Sequence, residues 1–417
     1  MSLKQTNNLA ITLYFILLII GSINYFFWHL ILEVHDDFFP KVLNNVIVLS
    51  LLVVSLVPNL LSRKISKEGY FFAFLFLIIY CFIISFLSTS PKNYIPSLLR
   101  YLNYISVGFF TYNYIKINGL DNFKRKLNQF ISWSGYLIIV TSAYEIINGK
   151  VLFMNGAYRL SGGFYKHPLA YGLYTLAIFI LWTELKTVKA KGIKKYYNAV
   201  ISILLFAIFM NTHSRMLQVA LILSYSTYFL LKQRHVLKIM YTILGVIALG
   251  VISYNVVMHT NISPRLRYAF KSIDDPSSNE RVRIINNSIK NLDTFDLTFG
   301  IGLGKFSSFY MEATNETKKK GVAAHNNYLL FLVESGILGL LLFLFYQFLL
   351  MLKSIIKIRA YPKDSLIRLS FIFIFIYEIL SFLLNNYYFY QIESLVWIFM
   401  AVILYKNEKG DLIKSGA

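Results

Sequence analysis

Cysteine occurs once in the 417 residues, at Cys81 inside an apolar run, so an internal disulfide is excluded and no Cys-based metal site is suggested. Charge is scarce as well: Asp, Glu, Lys and Arg make up 15% of the chain against 57% hydrophobic residues, with a mean hydropathy of +0.57. Those proportions exclude a soluble globule with an ordinary surface. Acidic residues are the scarcest charged class, 20 against 41 Lys and Arg, giving a net charge of +21. In a chain this apolar, the basic excess belongs on cytoplasmic loops rather than on a nucleic-acid face, so no nucleic-acid partner is expected. Internal repeats, low-complexity tracts, a DxD motif and a His-Glu-Asp cluster at metal-ligand spacing are all lacking, so neither metal nor cofactor is expected. Asp36 and Asp37 read as an orientation signal rather than a metal site. The first apolar run follows MSLKQTNN without a small-residue cleavage site and is too long for a signal h-region, so it reads as a retained span.

What is there is hydrocarbon-length sequence. About twelve apolar stretches are long enough to cross ~30 Å of hydrocarbon, which takes roughly 17 to 25 helical residues each. They fall near 9–32, 43–61, 70–88, 96–115, 129–147, 168–185, 197–211, 216–231, 237–257, 327–352, 366–385 and 391–405. Because only helices satisfy their own backbone within one segment there, the expected fold is all-α, a polytopic membrane protein of one domain over 1–417. The loops 62–69, 118–128, 184–197, 232–238 and 353–364 are basic and alternate with loops that are acidic, short or nearly neutral. Both termini are therefore expected in the cytoplasm, with 148–167, 211–215 and 258–325 on the other side.

The loop 258–325, between the ninth and tenth spans, is too long for a connector and too poor in Gly and Pro for a disordered linker. Short helices across the membrane face are expected in it. RVRIINNSIKNLDTF (281–295) puts Ile284, Ile285, Ile289 and Leu292 at helical spacing, and the glycines of GIGLGKFSSFY (300–310) permit close backbone approach.

The polar residues that stand out share the outer side: Arg159, Lys166 and His167 before the sixth span, Arg215 in a short turn between spans, Arg281 and Arg283 leading the loop helix, and His325 closing the long loop. Each has a plainer reading. Arg215 can snorkel to the interface, Arg281 can be a solvated loop charge, and His325 can neighbour a helix cap, with Asn326 beside it. Glu334, about two turns inside an apolar helix, is costly unless it faces a partner or a cavity. Gly336 and Gly339 read first as close helix packing.

Arginine grips phosphate oxygens in a bidentate fork and keeps its charge at low dielectric. An imidazole titrating near neutrality takes a proton from a hydroxyl. Together they suggest a hydroxyl attacking a carbon whose leaving group is a phosphate or diphosphate. A site facing away from the cytoplasm disfavours nucleotide donors and suits a lipid-linked donor arriving laterally.

At this point the motifs resemble a known family. His325-Asn326, nine residues, Gly336, two residues and Gly339 resemble the signature of the O-antigen ligase and Wzy-type polymerase superfamily. RLSGGFYKHPLAYGL, THSRMLQ and ERVRIINNSIKNLDTFDLTFGIGLGKF resemble, in order, three further segments of that family, although Ile285 stands where Trp is frequent and His167 precedes Pro168 where other residues also occur. The resemblance covers roughly 155–342. It implies a metal-independent, inverting glycosyltransferase of GT-C-like character, acting on undecaprenyl diphosphate-linked glycans at the outer face of the bacterial inner or plasma membrane. Carried over, Arg215 and Arg281 would hold the diphosphate, Arg159 would be a weaker candidate for it, and His325 would act on the acceptor hydroxyl; Asn326, Glu334 and His167 would support them. The expected partners are the lipid-linked donor, a glycan or lipid acceptor, membrane lipids and the polysaccharide assembly machinery. The leading expectation is a polymerase of repeat units for O-antigen, capsule or exopolysaccharide. The alternatives are a ligase onto lipid A core or another acceptor and, from a different class, a flippase.

Overall fold

The structure, a computed structural model, describes residues 3–32, 38–62, 69–86, 91–154, 157–160, 168–188, 190–232, 245, 276–314, 322–361, 364–381 and 390–405. The expected ninth span (237–257), Lys166 and His167, and the acidic pair Asp36 and Asp37 lie outside these residues, apart from an isolated helical position at Gly245.

In chain order the helices are α1 (Leu3–Tyr25, running into a π-helical turn at Phe26–Ile31), α2 (Phe38–Ser62), α3 (Gly69–Phe86), α4 (Pro91–Asn118) and α5 (Leu120–Ile147). A small antiparallel pair follows, β1 (Leu152–Met154) and β2 (Ala157–Arg159), with Leu152 opposite Arg159. Then come α6 (Pro168–Trp182), α7 (Ile193–Asn211) and α8 (Arg215–Lys232). Three short helices, α9 (Pro276–Lys290), α10 (Thr294–Phe299) and α11 (Phe306–Thr314), precede α12 (Asn327–Ala360), α13 (Ser365–Ser381) and α14 (Tyr390–Leu404). Apart from the β pair, the regular elements among the described residues are thus helices, as expected of an apolar chain where water cannot satisfy its backbone.

Among the described residues six helical stretches, α1, α2, α5, α6 together with the π-helical turn Thr183–Thr187 that continues it, α7 and α12, are long and apolar enough to cross a membrane; α3, α8 and α14 contain shorter apolar helices. The larger number expected from hydropathy is only partly matched. The reason shows in α4, which is 28 residues long but carries Asn103, Ser106, Thr111 and Asn113, all buried. It packs against α2 and α14 in the interior, where its polar side chains find partners: Asn113 Nδ2 donates to Asn59 Oδ1 at 3.0 Å, and Ser55 Oγ donates to Ser106 Oγ at 2.9 Å.

Two ends of the bundle differ in chemistry. At one end the C-terminus of α4 is tied to the N-terminus of α1, with Tyr114 OH donating to Asn8 Oδ1 at 2.7 Å. The same end holds the Arg368–Glu184 ion pair, in which Arg368 Nε donates to Glu184 Oε2 at 2.8 Å, and Lys186, which lies over the Trp182 ring at 4.3 Å. The other end holds the C-termini of α3, α7 and α13, the N-termini of α8 and α14, and the arm α9–α11.

The largest departure from the sequence reading is in α12. Gly336 has φ +66° and ψ −174°, which no helix contains. Phe331 and Phe343 nevertheless stack at 4.1 Å between ring centroids, and Tyr328 meets Phe343 at 5.6 Å. In an unbroken helix, residues twelve and fifteen apart are separated by about 18 and 22 Å along the axis. The chain therefore folds back at Gly336. Residues 327–335 form a half-helix lying against the first turns of the longer piece, 337–360, and the expected tenth span starts after the glycine rather than at 327.

Candidate active site

Helix α7 ends at Asn211, and the turn Thr212-His213-Ser214 delivers Arg215 as the first residue of α8. His213 takes a left-handed backbone, φ +49°. β2 braces this turn: Leu160 N donates to Asn211 O at 3.1 Å, and Arg159 Nε donates to Thr212 O at 2.8 Å. Arg159 is 4% exposed, so a guanidinium that the sequence leaves as a diphosphate candidate has one nitrogen committed to holding the turn before Arg215.

The arm brings in the second arginine. Helix α9 starts at Pro276, more than a turn before the expected start at Arg281, and buries Ile284 and Ser288. Ile285 and Leu292 pack against the same cluster, whereas Ile289, expected on that face, is 46% exposed. Arg281 is half-buried and its Nη1 donates to the Sδ of Met216 at 3.0 Å, directly after Arg215 in the chain. Arg283, on the exposed side of α9, does not share that placement.

His325 comes from the far end of the arm. It has a left-handed backbone, φ +52°, which costs about 1 kcal/mol in a residue with a Cβ and is held only where its surroundings over-determine it. The N-cap of α12 is the next residue: Asn326 Oδ1 accepts from Tyr328 N at 2.8 Å and Leu329 N at 3.1 Å. The imidazole is thus not consumed in capping. Its pKa lies below the ordinary histidine value, first because burial disfavours the cation and next because the Arg281 guanidinium is near; Glu280 opposes this in part. A neutral imidazole beside a permanent cation is a base ready to accept a proton.

Below His325 the half-helix is held at both ends. Asn327 Nδ2 donates to Ser381 Oγ at 3.1 Å, tying its start to the end of α13. At the fold-back, the carbonyls of Val333 and Glu334 lose their helical donors and accept instead from Ile301 N and Gly302 N, each at 3.0 Å. The two backbones meet through glycines. A Cβ on Gly336 would lie 2.2 Å from Thr298 O, and one on Gly300 would lie 2.5 Å from Glu334 O. Glu334 itself, 2% exposed, faces neither open space nor His325: its Oε1 accepts from Phe306 N at 3.2 Å, at the start of α11, and Gly304 hydrogen-bonds to it as well.

Two buried carboxyls that the sequence reading passed over lie nearby. Glu378 on α13 is within electrostatic reach of Tyr328 and of Glu393 on α14, and Glu393 accepts from Trp397 Nε1 at 3.3 Å. Their signal was available, since an ionisable residue inside an apolar helix is rarely idle. Among the described residues, no group of three or more His, Cys, Asp and Glu side chains is positioned to hold a metal ion.

The arrangement gathers stretches near 159, 212–216, 281 and 325 at one end of the bundle, around a guanidinium and an unprotonated imidazole. Residues 200–344 match the family model of the O-antigen ligases. The similarity is thus to the O-antigen ligases over that stretch. It includes Arg215, Arg281, His325, Glu334 and both helix glycines, and leaves Arg159 and His167 outside. The match agrees with the motif resemblance over that stretch, and six apolar helical stretches among the described residues are long enough to cross a membrane. No curated protein matches the chain significantly.

Proposed function

We propose that this chain is a member of the O-antigen ligase and Wzy-type superfamily and that it joins undecaprenyl diphosphate-linked oligosaccharide repeat units into a surface polysaccharide at the extracytoplasmic face of the bacterial inner membrane. The observation that carries the reading is the convergence of Arg281 with both Met216, next to Arg215, and His325 across more than a hundred residues of chain. The bundle end opposite the site carries Lys186, Lys357 and Arg368, which supports cytoplasmic termini and an outer active site for one membrane domain.

In this mechanism the acceptor hydroxyl gives its proton to His325 as its oxygen attacks C1 of the donor sugar. The bond from C1 to the diphosphate oxygen breaks on the opposite face, inverting the anomeric centre, and the electron pair leaves with the diphosphate. Arg215 and Arg281 hold that diphosphate, and Arg159 keeps the turn of Arg215 in place. Charge on the leaving group grows as the bond breaks, so preplaced guanidiniums stabilise the transition state more than the ground state without a metal.

Polymerisation is the favoured form of the reaction, because an acceptor that is itself lipid-linked suits a site at the membrane surface; transfer to lipid A core or another acceptor would use the same donor and the same residues. Deletion in cells tests the choice: loss of a polymerase leaves single repeat units attached, loss of a ligase leaves no attached glycan, and loss of a flippase strands the lipid-linked unit on the cytoplasmic side.

A further inference from the structure

The fold-back at Gly336 raises a mechanical question. A half-helix of nine residues with a broken backbone carries His325 at its start, while Arg281 rides on a separate arm. Something must fix one to the other. The backbone bonds from Ile301 and Gly302 hold the last carbonyls of the half-helix, Leu303 N donates to Ser85 Oγ at 3.0 Å, and Tyr80 OH donates to Phe299 O at 3.3 Å. These anchor the loop 299–303 to α3 and to the fold-back, but not α11. Helix α11 carries Phe306 and Tyr310, whose rings form the apolar contact between Ile284 on α9 and Leu330 and Val333 on the half-helix. From the half-helix, the Glu334 side chain bonds the start of α11, through Phe306 N and Gly304. A carboxyl is well matched to that place, since the first amides of a helix lack partners and the helix dipole favours an acceptor there.

We infer that Glu334 is a positioning residue: its buried carboxyl clasps the start of α11 and so fixes the half-helix that carries His325 against the arm that carries Arg281. It touches no substrate. The catalytic part of this inference rests on the proposed function; the clasp itself does not.

The test compares the full chain with Glu334→Ala and Glu334→Gln in lipid nanodiscs. Three quantities are read: hydrogen–deuterium exchange over 299–314, the pH midpoint of His325 modification by diethylpyrocarbonate followed by mass spectrometry, and kcat and KM with a lipid-linked repeat unit. Glu334→Ala is expected to speed exchange at 300–306 with α1, α2 and α5 unchanged. It is also expected to raise the His325 midpoint towards the ordinary value of about 6.5 as Arg281 draws away. A misplacement on the order of 1 Å lowers kcat by up to about a hundredfold, with KM nearly unchanged. Glu334→Gln keeps one acceptor oxygen and is expected to retain most of the wild-type behaviour. Unchanged exchange and an unchanged His325 midpoint in Glu334→Ala overturn the inference, whatever happens to activity. If Glu334→Ala does not accumulate, Glu334→Asp shortens the clasp by one methylene and is judged by the same readouts. Should His325→Ala retain transfer, the proposed function fails, while exchange and modification still decide the clasp.

Discussion

Arg281 Nη1 donates to the Sδ of Met216 at 3.0 Å, so the arginine of the arm is held beside the residue that follows Arg215. Residues 281 and 216 are 65 positions apart, and the contact joins the arm to the turn at the head of α8. It is the reason for assigning the two arginines to one ligand, and it makes Arg281 the more informative position to vary.

Lysine at 281 keeps the charge and loses the planar fork, so Arg281→Lys is expected to lower kcat/KM for the lipid-linked donor. Charged hydrogen bonds of this kind contribute about 1.5–3 kcal/mol each, which corresponds to a loss of roughly ten- to a hundredfold. Steady-state kinetics with purified variants measures it. Wild-type values in Arg281→Lys mean that the side chain is a solvated loop charge.

His325 titrates below the ordinary histidine value, from burial and from Arg281, with Glu280 pulling the other way. The neutral, base-competent form therefore persists to lower pH than in a free histidine, and kcat/KM is expected to fall only below about 6.5. Removing Glu280 as Glu280→Gln shifts the acid limb further down; Arg281→Met shifts it up. The linkage to stability has the same origin: the unfolded chain binds this proton more readily, so the contribution is fully present above about pH 6.5 and is lost as pH falls through the lower folded value. A pH–rate profile of the three proteins decides it, and an acid limb that does not move in either variant excludes His325 as the titrating group.

The fold-back predicts a difference between two glycines. Gly149 has φ +61° with nothing within 4 Å of a notional Cβ, so Gly149→Ala adds only backbone strain, about 1 kcal/mol. Gly336→Ala adds the same strain and a collision with the Thr298 carbonyl, so its cost is expected to exceed about 3 kcal/mol. Thermal unfolding midpoints in detergent report the difference, and equal shifts contradict the interlocked backbones.

Asn326 supplies the cap that frees His325 from capping. Asn326→Ala is expected to cost about 1 kcal/mol, seen as faster exchange of the Tyr328 and Leu329 amides, with Asn326→Ser close to wild type. Unchanged exchange in Asn326→Ala removes the cap from the account.

Hydropathy reads the helical membrane bundle well because a hydrocarbon-length apolar run has few other uses. It reads α4 less well, because the polar side chains of that helix are satisfied by neighbours that no local window contains. The arm was legible as short helices from the 3.6-residue spacing near Ile284, and its boundary was missed because the turns before Arg281 are polar. The approach of Arg281 to Met216 and His325 is a tertiary fact, and only the resemblance hinted at it. Gly336 does serve the close packing that the sequence suggests, against Thr298, but the left-handed break it also makes leaves no separate signal at that position, because the same residue type suits both roles. The clue was Glu334-Ser335 just before it, two polar residues where a plain span needs none. The carboxyl of Glu334, left open between a cavity and a neighbour, turns out to serve the start of α11.

The most direct measurement of the central claim uses purified protein, a synthetic undecaprenyl diphosphate-linked repeat unit, and His325→Ala alongside the wild type. Extension of the glycan and release of undecaprenyl diphosphate are scored together with donor binding. The wild type is expected to release the lipid diphosphate as the glycan grows, and His325→Ala is expected to bind the donor while transferring at least about a hundredfold more slowly. Transfer by His325→Ala at the wild-type rate contradicts the account.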